Sequence, residues 1–91
     1  MEEVKIAIIA AVSEVFRFRR ENPKSDYEAI IRHITDFSNR ERDSFKKMAM
    51  ISAAAKTASY IERNPDSTEK QVIRHVMSII NEITNSIELD E

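Results

Sequence analysis

The sequence predicts an all-α protein in which four helices, formed by tandem duplication of a helical hairpin, close into one compact bundle or array. Three observations predict it. Slid against itself by 42 residues, the chain aligns 11 identities between residues 1–42 and 43–84. They cluster where Asn22-Pro23-Lys24-Ser25 meets Asn64-Pro65-Asp66-Ser67 and where Ile31-Arg32-His33 meets Ile73-Arg74-His75, a period at which helical arrays and duplicated bundles occur. Apolar residues recur at helical spacing, and no useful stretch alternates with period two. The 91 residues include no glycine, which leaves the joints to Asn, Pro and Ser.

The first helix is expected from about Val4 to Arg20. Pro23 drives Asn22 out of the α region, and Arg19 and Arg20 sit at the negative end of the helix dipole. Ser25 with Glu28 three residues on forms a capping box for the second helix, whose Tyr27, Ile30, Ile31, Ile34 and Phe37 share one face. Ser38 with Glu41 is a further box, opening a third helix that lasts to about Arg63. Asp66 with Glu69 starts the fourth, from about Thr68 to Ile87, with Val72, Ile73, Val76, Ile79, Ile80, Ile83 and Ile87 in its stripe. Glu82, Glu88, Asp90 and Glu91 make its end acidic and oppose the dipole. The domain organisation is therefore a single domain over residues 1–91, with units 1–42 and 43–84 and an acidic end at 85–91.

The two long helices each carry a double pattern. Val4, Ile8, Ala11, Val12, Val15 and Phe18 form one stripe, and Ile6, Ile9, Ser13 and Phe16 a second. Shifted by the period, the second stripe becomes Met48, Ile51, Ala55 and Ala58. A helix apolar over so much of its circumference must be enclosed on most sides. In one solution the long helices lie at the centre of the monomer, Val12, Val15 and Phe16 opposing the small Ala54, Thr57 and Ala58. In the other a second copy covers one stripe, which makes Ile6, Ile9, Phe16, Met48, Ile51, Ala55 and Ala58 the oligomer or partner surface, most simply that of a homodimer. The run Ala53, Ala54, Ala55 and Ala58 also suits a partner helix.

Composition removes many chemistries. Without cysteine there is no disulfide, thiolate metal site or thiol nucleophile, and without glycine no phosphate-binding loop or nucleophile elbow. Fourteen Lys+Arg against 16 Asp+Glu give a net charge of −2, spread evenly over the two halves, with no basic tail. The longest apolar run, Ile6 to Val12, follows Glu2 and Glu3 and is far short of the roughly 20 residues of a membrane span. The expectation is a cytoplasmic protein with no membrane partner.

The only histidines, His33 and His75, occupy equivalent positions in the two units. They lack further zinc ligands, since Asp36, at i+3 from His33, becomes Ser78 in the second unit. No cofactor, metal site or catalytic residue is expected, and the chain reads as no enzyme: it has no Glu-x-x-His pair and no serine with a placed base. Phe16-Arg17-Phe18-Arg19-Arg20 is the densest basic and aromatic cluster, but its two rings diverge by about 200° on a helix and form no single stacking platform. Arg17, Arg19, Arg20 and the equivalent pair Arg32 and Arg74 are the candidates for anion or nucleic-acid contact. The functional expectation is a small non-enzymatic interaction or scaffold protein acting as a homo-oligomer. The alternative is a nucleic-acid-associated protein using the basic aromatic end of the first helix.

Overall fold

Side-chain caps set three of the element boundaries. The computed structural model describes the backbone of residues 2–89 and the side chains of residues 2–85. The first helix, α1 (Glu2–Glu21), has acidic residues in its first turn and Arg19 and Arg20 in its last, complementing the dipole at both ends. Beyond it, Asn22 accepts the Ser25 N–H at 3.0 Å and folds the chain back. That bond makes Ser25 the last residue of the turn, so the cap falls one residue later than expected. Asp26 caps α2 (Tyr27–Ser38), its carboxylate accepting the Ala29 N–H at 2.8 Å.

At the second joint the cap falls two residues later than expected. Ser67 N–H reaches the Asn64 carbonyl at 3.1 Å, and Thr68, not Asp66, caps α4 (Glu69–Ser78) in a capping box with Gln71. The box expected from Ser38 and Glu41 does not form. Ser38 instead completes α2, its buried hydroxyl donating to the Thr35 carbonyl at 2.9 Å, and Asp43 caps α3 (Ser44–Arg63) by accepting the N–H groups of Phe45 and Lys46. Tyr27, expected on the core face of α2, is exposed.

The single fourth helix expected from Thr68 to Ile87 is two helices, α4 and α5 (Ile80–Leu89), broken at Ile79. Ser78 Oγ donates to the His75 carbonyl at 2.6 Å, and the Ile79 N–H turns to Val76 at 3.1 Å in a tightened last turn. A hydroxyl inserted into the hydrogen-bond ladder is a known cause of such bends. The break lays α5 against α3 with Ile80, Ile83 and Thr84 buried. The side chains of Ile87 and of the expected acidic end beyond Asn85 lie outside the described residues.

The described residues are all helix and joints, with no strand. The long helices are the centre: α1 packs most extensively on α3, α2 lies against both, and α4 also touches both. They run in the same direction, since Lys46 pairs with Glu3 at their starts (3.2 Å) while Arg19 and Glu62 line one hollow at their ends. Ile8, Val12 and Val15 of α1 and Ala49, Ala53, Ala54 and Ala58 of α3 belong to one buried cluster, large residues from one helix against small ones from the other. The radius of gyration, 12.2 Å, is that of a compact chain of this length.

Two substitutions report on this core. Ile34, fully buried, is expected to cost about 2–5 kcal/mol when changed to Ala, read as a lowered urea midpoint. Thr57 is fully buried and its hydroxyl has no hydrogen-bond partner. Thr57→Val removes that polar atom at nearly constant volume and is expected to raise stability by about 1 kcal/mol in the same assay.

Candidate functional site

Glu14 is the charged side chain that the core draws in. It lies on the α1 face turned toward α2, with only 7% of the residue exposed. A carboxylate so placed needs partners, and it has two. Arg17, one turn on, donates Nε to Oε1 at 2.9 Å and Nη2 to Oε2 at 2.5 Å, a bidentate pair. From α2, His33 Nε2 reaches Oε2 at 2.6 Å. An ionised carboxylate only accepts, so Nε2 is the donor in this contact. Arg17 extends the chain of charges to Glu21, its Nη1 3.1 Å from both carboxylate oxygens. Phe18 stacks on the His33 ring at 4.3 Å and 16°, completing a polar clamp between α1 and α2.

The Arg17 hydrogen bonds hold the Glu14 carboxyl below its ordinary value of 4.5, aided by His33 and opposed by burial; the same bonds raise the Arg17 guanidinium. The sequence concealed this cluster because its members stand 14, 17 and 33 in the chain and nothing local pairs Glu14 with His33. The one sequence signal was positional: Glu14 falls at the border of the first apolar stripe rather than opposite it.

His75 stacks on Tyr60 at the same 4.3 Å, with 28° between planes. It has no carboxylate partner among the described residues and opens onto two hollows, one lined by Asn64, Gln71, Arg74 and Ser78, the other by Lys56, Ser59, Glu62 and Arg63. No group of three metal-ligating side chains gathers among the described residues.

The expected partner surface is divided by the fold. Ile6 is 66% exposed, Met48 44% and Ile9 37%; Phe16, Ile51 and Ala55 are half-buried. Ala58 is not a surface residue: at 5% exposure it belongs to the core, because α3 must turn its small residues inward to admit α1. The first turn of α4 approaches the middle of α1, where Ser13 Oγ donates to Glu69 at 3.3 Å. Phe16 lies one turn beyond Ser13 and packs on the core, whereas Ile6 and Ile9 lie before it and stay open. Ile6 stands over a hollow of about 470 Å³ walled by Ala10, Phe37 and Met50, with Glu3, Arg40, Glu41 and Lys46 around it. Met48, two residues from Met50, points to the other side of α3 and does not join it.

The basic aromatic cluster is largely spent inside the fold. Arg17 is held by two carboxylates, Phe18 by His33, and Arg19 shares a hollow with Asp26 and Glu62. Arg20 is exposed, Arg32 lies 3.4 Å from Glu28, and Arg74 is exposed beside His75. Comparison of the chain with protein families, curated proteins and solved structures gives no match. Among the described residues, no helix is long and apolar enough to cross a membrane.

The clamp is expected to shape acid stability. Its carboxyl value is depressed in the folded state, so the stabilisation is complete above about pH 4.5 and is lost as pH falls through the lower folded value. Glu14→Gln is expected to cost about 1.5–3 kcal/mol at pH 7, and urea midpoints measured across the acid range should fall less steeply for the variant than for the parent.

Proposed function

We propose that the protein is a cytoplasmic, non-enzymatic helical interaction module, built as two tandem hairpins, that associates with a second copy of itself through the N-terminal half of α1. One observation carries this reading: Ile6, 66% exposed, stands over an apolar hollow formed where α1, α2 and α3 meet. The surround favours a second copy over a partner of one charge. Glu3 and Glu41 are acidic, Arg40 and Lys46 basic, and such a mixture can complement itself across a two-fold axis. A polyanion would meet as much repulsion as attraction there, and Arg17 and Phe18, on which a nucleic-acid reading relies, are already engaged with Glu14, Glu21 and His33.

The duplicated construction rests on paired details. Each long helix has 20 residues, and their first residues are 42 positions apart. The Asn22 and Asn64 side chains each donate to a carbonyl four residues back, of Phe18 and Tyr60, at 3.1 Å, and each of those aromatic residues carries a stacked histidine. An ancestral hairpin would have had such a joint.

Light scattering tests the association. At micromolar concentration the parent is expected at twice the 10.5 kDa chain mass. Ile6→Glu should give a monomer with unchanged helical circular dichroism, whereas Met48→Glu, on the other side of α3, should remain dimeric. A monomeric parent, or a dimer indifferent to Ile6→Glu, would overturn the reading.

A further inference from the structure

The two stacked histidines face opposite charge. Around His33, α1 presents Glu14, Arg17 and Glu21, with the guanidinium lying between two carboxylates. Forty-two positions on, α3 presents Lys56, Ser59 and Arg63: acid, base, acid has become base, hydroxyl, base. The helix positions and the aromatic stack are alike, so the charge inversion occurs in a similar local frame. Where α1 fills the middle position with the long side chain of Arg17, α3 has only Ser59. Lys56, Ser59, Glu62, Arg63 and His75 wall the hollow that results, of about 510 Å³.

The geometry points to an anion site in this hollow that takes a phosphate group between Lys56, Arg63 and the edge of His75, with the Ser59 hydroxyl as a further donor. The middle of the inverted cluster calls for a negative group as the middle of the first calls for Arg17. Lys56 and Arg63 outnumber the carboxylate of Glu62, which pairs with neither among the described residues. Arg63 is drawn toward the same place, its Nε donating to the Ser59 carbonyl at 3.4 Å. Donors from two cations, an imidazole and a hydroxyl match the several oxygens of a tetrahedral dianion better than the two of a carboxylate. Tyr60 holds the imidazole plane, so its edge is presented without a further ordering cost. Arg74 adds positive charge on the adjoining hollow, where Asp66 opposes it.

His33 supplies an internal control, because Glu14 already occupies its edge. Inorganic phosphate is titrated into the protein in the millimolar range at pH 7, with ionic strength held constant by sodium chloride, while the imidazole proton resonances of both histidines are followed by NMR. The His75 resonances should move and saturate while those of His33 stay in place. Lys56→Gln and Arg63→Gln, both at exposed positions, should each weaken the apparent affinity about tenfold, the size of one charge-assisted hydrogen bond. The monomeric Ile6→Glu variant should bind as the parent does, which separates this site from the association surface. Movement of both histidines together, a response that does not saturate, full binding by Lys56→Gln, or an equal response to acetate would overturn the assignment.

Discussion

The fold depends on how closely two long helices can approach. α1 is apolar around much of its circumference and has to be surrounded, and α3 makes this possible by being thin. Ala49, Ala53, Ala54 and Ala58 line its inner face and leave room for Ile8, Val12 and Val15. With that pair at the centre, α2 and α4 have only their single stripes to bury, and each does so across both long helices. Thr57 is left uncompensated by this packing: its hydroxyl is carried into the core with the alanines and finds no acceptor.

The same arrangement decides where polar chemistry can sit. A helix in the middle of a small bundle has little surface to spare, and on α1 a carboxylate falls at the seam with α2. Its burial would be costly alone, but Arg17 and His33 supply hydrogen bonds to both oxygens. On α3 the corresponding seam carries Lys56, a longer side chain that keeps its charge in water, and so His75 is left facing a hollow. The stack of Phe18 on His33 is thus part of a closed structural clamp, whereas the stack of Tyr60 on His75 presents an open edge.

The joints were largely legible because their physics is local. Asn22-Pro23 and Asn64-Pro65 stop helices wherever they occur, and among the described residues no element ends in a left-handed residue. Cap identity was less legible, since Ser25 and Asp26 can both serve and the choice turns on which residue closes the turn hydrogen bond to Asn22. The break at Ile79 was hidden for a related reason. Val72, Val76, Ile80 and Ile83 keep perfect helical spacing through it, and only the Ser78 hydroxyl marks the place.

By itself the sequence determined the helical class, the two long helices, the Asn-Pro joints and the absence of cysteine and glycine chemistry, because periodicity, proline geometry and composition act over a few residues. Tertiary structure decided which stripe was covered and which side chains met. Ala58 went to the core and Ile6 to the surface although both belonged to the same expected stripe, since the side of α3 that faces α1 is set by the packing of whole helices. Glu14 and His33 are 19 residues apart and became a 2.6 Å pair for the same reason. A helix wheel gives the direction of a side chain from its own axis; only the placement of a second axis says what stands opposite it.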